Sequence, residues 1–491
     1  MKTHPKQLEP TTLLLKECAA SLVTPVTRLF NRSLLDKTFP NIWKIPMVVP
    51  IYKSGSPYRV DNYRGISILC SLSKVFEKLV HAVLYRVAHP IISAAQHGFV
   101  KQRSTTTNLM CYMSTLFREI ESKNQVDAIY IDFSKAFDVV PHSYAIDKFK
   151  HIGFPESITG WLLSYLTDRK AAVYVNMATS REFNITSGVP QGSVLGPLMF
   201  ILFANDICSR LSSPKQLFAD DLKMYRVISS TLDCLALQTD IDELLLWCRE
   251  NGMNINAAKC KVISFTRRLN TTTYSYTIDD ANLERVSSIR DLGVTIDSKL
   301  RFNEHIATVT AKAFSVLGFI RRTTSNFTDI YTRKALFCSL VRSILEYAVQ
   351  VWAPYHTTHV VRLERVQRKF LRHALSQLPW NDPVHLPDYT ARCRLIDLET
   401  LSTRRTRLQR LFIFDLLEGN TDCPELLQQI QFIVPQRALR SFLTIQIPTY
   451  RTNYGHNNPF CVCLRTFNDV GGVYDFGMTK ETFKNRVKYL T

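Results

Sequence analysis

Apolar residues in the first 300 positions follow two different spacings, which predicts a mixture of strands and helices. The segment 217–227 predicts a strand, an acidic turn and a second strand. Short apolar runs rich in β-branched and aromatic residues predict further strands at 46–52, 125–133, 260–265 and 286–297. Apolar residues at helical spacing predict helices at 11–45, 72–87, 156–168, 197–207 and 239–251.

From about residue 303 the apolar spacing changes to helical, and residues 420–491 mix strand-like and polar pieces. One amphipathic stripe covers residues 360–374, and its polar side carries basic residues every three or four positions: Arg362, Arg365, Lys369 and Arg372. A solvated surface is the ordinary explanation of such a face. Contact with the phosphates of a nucleic acid becomes the favoured interpretation once the acidic motifs described below are considered. Little is predicted for residues 420–491.

The chain is long and strongly basic. Its 491 residues exceed the usual span of one core, so we expect two to four domains or subdomains. The net charge of +19 predicts an anionic partner, nucleic acid first and a membrane surface second. Residues 121–260 hold 13 Lys and Arg against 16 Asp and Glu, whereas residues 301–375 hold 12 against 4. One part of the chain is therefore suited to cations and another to phosphates.

The cysteines and the longest apolar run bear on the compartment. Twelve cysteines are scattered without a CxxC pair, which gives a zinc site little support. Dispersed cysteines are typical of a reduced, intracellular protein, so we expect the nucleus or the cytoplasm. The apolar run 194–204 is shorter than a membrane span and is interrupted by Gly196 and Pro197. We therefore expect no transmembrane segment and no membrane partner.

Two adjacent carboxylates, Asp220 and Asp221, stand in the apolar segment LFADDLKMY. Taken alone, such a pair is usually an ordinary turn or a surface feature. A third carboxylate, Asp132, ends the apolar run AIYID. Mg²⁺ binds through one or two carboxylates plus substrate phosphates, and two ions about 4 Å apart suit a phosphoryl displacement. Because bound cations remove the penalty of adjacent like charges, the three residues predict a two-metal site.

Several collinear segments carry a family resemblance. IDFSKAFDVVPH at 131–142, SGVPQGSVLGPLMFILFANDI at 187–207 and LFADDLKMY at 217–225 resemble the palm motifs of reverse transcriptases. They are most similar to those of non-LTR, LINE-type retrotransposons of the jockey-like kind. AQHGFVKQRSTTTNL at 95–109 resembles the family's template-contacting stretch, and LERVQRKFLRHAL at 363–375 resembles its helical thumb. The resemblance runs from about residue 10 to the C-terminus.

The resemblance implies an α+β fold, that of a right-hand polymerase with fingers, an antiparallel-sheet palm and a helical thumb. The implied regions are an N-terminal helical extension at 1–44, fingers and palm at 45–297, a helical thumb at 298–380, and a C-terminal region of uncertain role at 381–491. Within 45–297, the fingers occupy about 45–125 and 145–185, and the palm occupies about 126–144 and 186–297.

The implied activity is RNA-directed synthesis of DNA. Two Mg²⁺ ions, with Mn²⁺ as a substitute, would assist transfer of a nucleotide from a dNTP to the 3′-hydroxyl of a DNA primer on an RNA template. By the resemblance, Asp132, Asp220 and Asp221 are the catalytic metal ligands, and the backbone carbonyl of Phe133 completes one metal shell. Lys259 matches the position of a proposed general acid for the departing pyrophosphate, and Lys261 lies nearby.

The resemblance also implies contacts to the substrates. Phe137 falls where the family has an aromatic gate against a 2′-hydroxyl, although an Ala-Phe pair is also common in cores. Gln191 and Gly192 would lie against the nascent base pair, the alternative being a plain Pro/Gly turn. The fingers residues Lys53 and Arg64 would reach the triphosphate. The residues assigned to nucleic acid are Arg103, Arg362, Arg365, Lys369 and Arg372.

Two alternatives stay open at this point. The first is a catalytically silent, maturase-like RNA-binding protein that keeps the fold. The second is an RNA-dependent RNA polymerase, against which Phe137 speaks. No residues ahead of the fingers match the endonuclease usual in intact elements, so a separate endonuclease is an expected partner. The oligomeric state, the natural template and the insertion target are left open.

Overall fold

Strands and helices alternate through the first 300 residues of the computed structural model, and helices dominate the rest. The structure describes residues 12–376, 387–433, 445–470 and 473–488. The strands are β1 Met47–Tyr52, β2 Tyr63–Ile68, β3 Gln125–Ile131, β4 Arg169–Val175, β5 Ala178–Thr179, β6 Phe183–Ile185, β7 Lys215–Phe218, β8 Asp221–Ile228, β9 Lys261–Phe265, β10 Thr277–Ile278, β11 Ala281–Asn282, β12 Glu284–Arg285, β13 Ser288–Asp291, β14 Val294–Asp297, β15 Gln431–Phe432 and β16 Ile445–Gln446.

The helices fall into two groups, those among the strands and those after residue 300. The first group is α1 Thr12–Glu17, α2 Ala19–Leu35, α3 Ser71–Ala88, α4 Thr105–Glu121, α5 Ala136–Val139, α6 His142–His151, α7 Glu156–Leu166, α8 Leu195–Phe203, α9 Ile207–Arg210 and α10 Thr231–Asn251. The second group is α11 Asn303–Thr323, α12 Ile330–Leu336, α13 Ser343–Glu346, α14 Val349–Trp352, α15 Thr357–Ala374, α16 Tyr389–Leu395, α17 Leu401–Leu417, α18 Pro424–Leu427, α19 Asn453–His456, α20 Pro459–Asn468 and α21 Lys480–Lys488.

The central sheet has β3 in its middle. Its strand order is β12-β9-β3-β8-β7, and β3 runs antiparallel to both β8 and β9. The register places Ile131, the last residue of β3, opposite Leu222 near the start of β8. The end of β3 and the β7–β8 turn therefore lie at the same edge of the sheet.

Strand β3 is buried on both faces. Val126 and Ala128 belong to a core that includes α4 and the helices after residue 300. Ile129 and Ile131 belong to a second core that includes α8 and α10. Because successive strand residues point to opposite faces, burial on both sides requires the nearly continuous apolar run seen in the sequence.

A second sheet is built from strands that precede β3 in the sequence and strands that follow it. In it β1 pairs antiparallel with β2 and parallel with β4, and β4 also pairs with β5 and β6. Its β2 strand reaches the segment ahead of α8, because the Ser67 amide donates a hydrogen bond to the Gln191 carbonyl over 2.9 Å. The second sheet is thus hydrogen-bonded to the segment that leads into α8.

Helix α4 is enclosed between the central sheet and the C-terminal region. Ser104 caps its start by accepting a hydrogen bond from the Thr107 amide. At its other end the Glu121 carboxylate accepts hydrogen bonds from the amides of Arg451, Thr452 and Gly455. The region after residue 387 is therefore packed against the centre of the molecule.

Two segments differ from the sequence predictions. The helix predicted over 11–45 is broken into α1, α2 and a short 3-10 turn at Asn41–Lys44. The segment 420–491, for which little was predicted, contains helices, and α20 has a clear start signal in Asn458 followed by Pro459. Among the described helices, none is both long and apolar enough to cross a membrane. The predicted boundaries of fingers, palm and thumb stay a prediction.

Candidate active site

The acidic pair lies in a tight turn between β7 and β8. Phe218 and Asp221 close the hairpin, and between them Ala219 has a φ of +60°, which is rare for a residue other than glycine. The Ala219 amide donates a hydrogen bond to Gln96 Oε1 over 3.0 Å. Gly98 packs so closely that a Cβ there would overlap the Ala219 backbone nitrogen. The neighbouring loop thus holds the turn in its strained conformation.

Asp132 meets this turn at the end of β3. It follows Ile131, which pairs with Leu222, so the continued ladder places Asp132 opposite Asp221. Side chains facing each other in this way have Cβ atoms about 5 Å apart. Alternation also puts both residues on the sheet face opposite Ile131 and Leu222. The structure therefore brings together the three carboxylates that are far apart in sequence.

The surroundings of the turn disfavour ionised carboxylates. Partial burial, followed by the charges of Asp220, Asp291 and Asp132, raises the pKa of Asp221 to about 6. Burial also raises the pKa of Asp220, with Asp132 adding to the effect and Arg64 and Lys53 opposing it. Like charges are thus collected here and are only partly compensated by the protein.

Basic residues from two directions face the carboxylates. The Lys259 Nζ lies 3.7 Å from Asp132 Oδ1. Lys261 also lines the cavity beside the carboxylates, but its ammonium pairs with Glu284. From the second sheet, the charges of Arg64 and Lys53 act on Asp220. The structure therefore places all three predicted basic residues around the acidic centre.

A cavity of about 220 Å³ opens beside the carboxylates. Asp132, Asp221 and Lys259 line it, together with Ile289 and Leu292 of the β13–β14 hairpin. Within the described part of the chain, no group of three or more His, Cys, Asp or Glu side chains is arranged closely enough to hold a metal ion. Carboxylates therefore line the cavity, but among the described residues they do not form a complete coordination shell for a metal ion.

The donor atoms nevertheless suit a hard divalent cation. Mg²⁺ takes one or two carboxylates and completes its shell with water and substrate phosphates, so a closed protein cage is not required. Next to the carboxylate of Asp132, the Asp132 carbonyl accepts a hydrogen bond from the Asn256 amide over 2.8 Å. Phe133, whose carbonyl is the predicted backbone ligand, follows directly and forms an isolated antiparallel bridge with Ile255.

Phe137, Gln191 and Gly192 are each held by a contact with a neighbouring segment. The half-buried Phe137 ring stacks on Phe200 with centroids 4.3 Å apart, so its position is rigid. Gln191 donates its amide to Asp138 Oδ1 over 2.8 Å. Gly192 has a φ of +102°, and a Cβ there would press on the Ser67 carbonyl. Glycine is thus required at 192 by the approach of the second sheet.

The comparison with protein families agrees with this geometry. The family model "Reverse transcriptase (RNA-dependent DNA polymerase)" matches residues 51–320, which is more than half of the chain. The chain belongs to the reverse transcriptase family. This confirms the family, the enzyme class and the α+β right-hand polymerase fold expected from the motifs.

Similar reverse transcriptases come from mobile elements. The chain is 28% identical over 381 residues to the "Probable RNA-directed DNA polymerase from transposon BS" of Drosophila melanogaster, covering 74% of this chain and 42% of that protein. It is 27% identical over 366 residues to the "RNA-directed DNA polymerase from mobile element jockey" of the same species, covering 72% and 40%. The chain spans about two fifths of the length of the curated relatives it matches. The resemblance to the jockey-like kind is confirmed.

The solved structures that the chain matches include a telomerase. The apo telomerase from Candida tropicalis matches 82% of this reverse transcriptase chain and 67% of its own, at 9% identity and a TM-score of 0.42. A score of this size does not establish a common arrangement of the whole chain.

The residues predicted to bind nucleic acid divide into two groups. Arg103 is largely buried, and its guanidinium donates to the carbonyls of Ser93 and Gln96 and to the Asp422 carboxylate. Because its guanidinium is hydrogen-bonded to groups of the protein itself, we do not propose a nucleic-acid contact for Arg103. The remaining four predicted residues share an exposed face of α15 and make no ion pair within the described residues: Arg362, Arg365, Lys369 and Arg372.

Sequence reasoning missed a buried ion pair beneath the acidic turn. Lys223 Nζ lies 2.5 Å from Asp291 Oδ2, and both side chains are almost fully buried. The Tyr130 hydroxyl donates to the same carboxylate oxygen over 3.2 Å. The pair ties β8 to the β13–β14 hairpin, next to the cavity. A lysine two positions after Asp221 in an otherwise apolar strand was an available signal, whereas nothing in the sequence marked Asp291.

Proposed function

We propose that this chain is an RNA-directed DNA polymerase that extends a DNA primer on an RNA template. The approach of Asp132 to the turn of Asp220 and Asp221, in a chain of the reverse transcriptase family, carries the proposal. In the reaction, the primer 3′-hydroxyl attacks the α-phosphate of a dNTP and pyrophosphate leaves.

We propose that Asp132, Asp220, Asp221 and the Phe133 carbonyl hold two Mg²⁺ ions, for which Mn²⁺ is a substitute. When bound, such ions activate the attacking hydroxyl and stabilise the leaving oxygen. The raised pKa of Asp221 supports this role, because its burial among like charges favours a cation at that position.

The basic residues are assigned to the triphosphate. Arg64 and Lys53 act on Asp220 from the second sheet, so they are placed to bind phosphates at the acidic centre. Lys259 faces Asp132 from the opposite side and is proposed to protonate the departing pyrophosphate. Gln191 and Gly192 are proposed to contact the nascent base pair from the junction of the two sheets.

The exposed basic face of α15 is proposed to contact phosphates of the template–primer duplex. Its side chains point to solvent and keep their charges free for an anionic partner. A separate endonuclease is proposed as a partner for integration, and the nucleus or cytoplasm as the compartment.

Primer extension tests the proposal directly. Purified protein is incubated with an RNA template, an annealed DNA primer and dNTPs, with and without Mg²⁺. We expect extension that depends on the cation. Tight, salt-sensitive RNA binding without any extension would instead support the catalytically silent, maturase-like alternative.

Phe137 tests the choice of DNA over RNA as product. Its ring is fixed by Phe200, so it can act as a rigid stop against a 2′-hydroxyl. The substitution Phe137→Ala is expected to raise the ratio of ribonucleotide to deoxynucleotide incorporation by about tenfold to a hundredfold. Equal use of both nucleotides by the parent protein would contradict the DNA assignment and favour an RNA polymerase.

A further inference from the structure

Helix α3 carries one glutamate that is completely buried, Glu77. The other buried residues of this helix are apolar except Ser73, so a carboxylate at position 77 is conspicuous. Burying an ionised carboxylate is costly unless hydrogen bonds and an opposite charge compensate it. The groups that contact Glu77 therefore indicate what the residue does.

The partners of Glu77 lie at the start of α8. Its Oε2 accepts hydrogen bonds from the amide of Val194 over 2.8 Å and from the amide of Leu195 over 3.3 Å. Its Oε1 accepts a hydrogen bond from the Ser73 hydroxyl over 3.0 Å. The free amides and the dipole of a helix both favour a negative group at its N-terminus. Glu77 thus caps α8 from a position 117 residues earlier in the chain.

The first turn of α8 has no cap from its own N-cap residue. Val194 occupies that position, and its side chain has no acceptor. The Gly196 amide donates to the Ser193 hydroxyl oxygen over 2.9 Å, and Pro197 has no N–H. Removing the Glu77 carboxylate would therefore leave two amides of this turn uncapped.

The segment just ahead of α8 contains the two residues proposed to contact the nascent base pair, Gln191 and Gly192. On one side, the Gln191 carbonyl accepts a hydrogen bond from the Ser67 amide of β2 over 2.9 Å. On the other side, the Glu77 carboxylate holds the amides of residues 194 and 195. The backbone at 191 and 192 is therefore fixed from both ends, and Glu77 supplies one of the two anchors.

A buried arginine supplies opposite charge near Glu77. Arg169, at the start of β4, is only 2% exposed, and it donates to the Tyr165 carbonyl over 2.8 Å. Burial lowers the pKa of Arg169, and interactions with Tyr165 and Glu77 oppose that lowering. Hydrogen bonds and an opposite charge thus compensate Glu77 within the fold. Because the carboxylate is also fully buried, it is placed to hold other residues and not to touch a substrate.

We propose that Glu77 is a positioning residue for nucleotide selection. By capping α8 it fixes the backbone that leads from Gln191 to Leu195, and so sets where Gln191 and Gly192 meet the nascent base pair. This inference rests on the proposed polymerase function, which supplies the role of those two residues. Glu77 lies in the predicted fingers and α8 in the predicted palm, so the residue couples these regions at the base pair.

Two substitutions at Glu77 separate its hydrogen bonds from its charge. Because Oε2 alone accepts from both α8 amides, the oxygen of Glu77→Gln can keep these bonds while the new amide group donates to the Ser73 hydroxyl oxygen. Glu77→Ala removes all of them. We expect Glu77→Ala to lower kcat/KM for the correct dNTP by about tenfold to a hundredfold, and Glu77→Gln to stay within about threefold of the parent.

The ratio of mismatched to matched nucleotide incorporation is the deciding measurement. This ratio does not depend on the fraction of folded protein, so a loss of stability alone leaves it unchanged. We expect Glu77→Ala to raise the ratio by about tenfold, because the base-pair contacts lose their fixed position. The KM for the primer–template is expected to match that of the parent. An unchanged ratio in Glu77→Ala would overturn the proposal.

Asp240→Ala is the matched control. The buried Asp240 carboxylate also accepts hydrogen bonds from two consecutive amides, those of Ser212 over 2.7 Å and Ser213 over 2.8 Å. These amides lie ahead of β7 and outside the segment 189–195. The control is expected to lower the unfolding midpoint about as much as Glu77→Ala and to leave the misincorporation ratio unchanged. An equal rise of the ratio in both variants would contradict a specific role for Glu77.

Hydrogen exchange tests the cap without catalysis. In Glu77→Ala, the amides of Val194 and Leu195 are expected to exchange faster by about tenfold or more, while those of Ser212 and Ser213 exchange as in the parent. Parent-like exchange at residues 194 and 195 would refute the cap. Faster exchange with an unchanged misincorporation ratio would refute the positioning role alone. A parent protein that incorporates no dNTP would instead refute the polymerase function.

Discussion

Two acidic regions of this molecule differ in how far neighbouring protein groups compensate the charge of their carboxylates. At the β7–β8 turn, Asp220 and Asp221 stand beside Asp132, and the nearby basic groups, among them Lys259 at 3.7 Å from Asp132, only partly compensate their charge. Near the start of α17, Glu364 accepts hydrogen bonds from the Ser402 amide over 2.7 Å and from the Leu401 amide over 3.3 Å. The first region leaves its negative charge exposed to a ligand, and the second neutralises it internally.

The second region extends into a network of ion pairs. Glu399 lies 2.8 Å from Arg407 and 3.4 Å from Arg404, and Arg404 also pairs with Glu346. The charge of a buried carboxylate in such a network is compensated by protein groups, and removing one partner leaves an uncompensated charge behind. Uncompensated carboxylates do raise it, and such residues are typical of functional sites. The comparison therefore distinguishes carboxylates that are suited to bind a ligand from carboxylates that stabilise the fold.

The largest effect is expected for Asp220→Asn. Removing one carboxylate of the acidic turn is expected to lower dNTP incorporation by more than about a hundredfold, because even the outer-shell partners of a metal typically contribute ten- to a hundredfold. RNA binding is expected to change by less than about twofold. Primer extension and a binding titration measure the two quantities. Asp147→Asn, in an exposed pair with Lys150, is the control and is expected to have no effect on either.

Glu364→Gln is expected to give the reverse result. The amide group turns a donor toward the Leu401 and Ser402 amides at the start of α17, which costs about 2–3 kcal/mol of unfolding free energy. Incorporation per folded molecule should match the parent. Denaturant unfolding measures the loss. The control Glu481→Gln lies in an exposed i,i+3 pair and should change stability by less than about 0.5 kcal/mol. If Glu364→Gln lowered dNTP incorporation and left the free energy of unfolding unchanged, the proposed difference between the two regions would be wrong.

Asp221→Asn is expected to stabilise the fold at high pH. The pKa of Asp221 in the fold, about 6, lies above its ordinary 3.8, so its ionised form is disfavoured by folding. The parent thus loses stability from this group as the pH rises from about 4 to 7, and the asparagine variant does not. With solvent screening, we expect a gain on the order of 1 kcal/mol at pH 8 and none below pH 4. Unfolding curves at both pH values check the sign.

The smallest effect is expected on the basic face of α15. Arg365→Gln should lower the slope of log affinity against log salt by about 1 for a template–primer duplex, with a few-fold loss of affinity at moderate salt. Arg32→Gln, which removes an exposed pair on α2, is the control. A slope identical to that of the parent would assign this face to solvation, the ordinary explanation of a basic helix surface.

Much of the candidate active site could be predicted because each of its acidic residues lies in a short segment with a recognisable pattern. Asp132 closes an apolar strand, and Asp220 and Asp221 form a turn between two strands, so each acidic residue was visible in a short segment. The strand, the turn and the amphipathic helices follow from spacing alone. The family resemblance then supplied the roles that spacing cannot supply.

Contacts between distant segments could not be predicted in this way. From the sequence, Arg103 is expected to be a surface charge in the segment that resembles the template-contacting stretch. In the structure it pairs with Asp422, more than 300 positions later. Lys223 and Asp291 are 68 positions apart, and their pairing depends on where the β13–β14 hairpin packs. A charge in a sequence shows neither its burial nor its partner.

The sequence by itself determined the family, the strands that carry the acidic residues, several helices of the first 300 residues, and the three acidic residues, since these depend on local spacing and on motifs. The tertiary structure alone decided that Asp132 lies opposite Asp221, that Lys259 pairs with Asp132 whereas Lys261 pairs with Glu284, and that Asp422 holds the loop beside the acidic turn. The physical reason is that strand register and burial are collective properties of the fold. They set which charges meet and which remain free for a ligand.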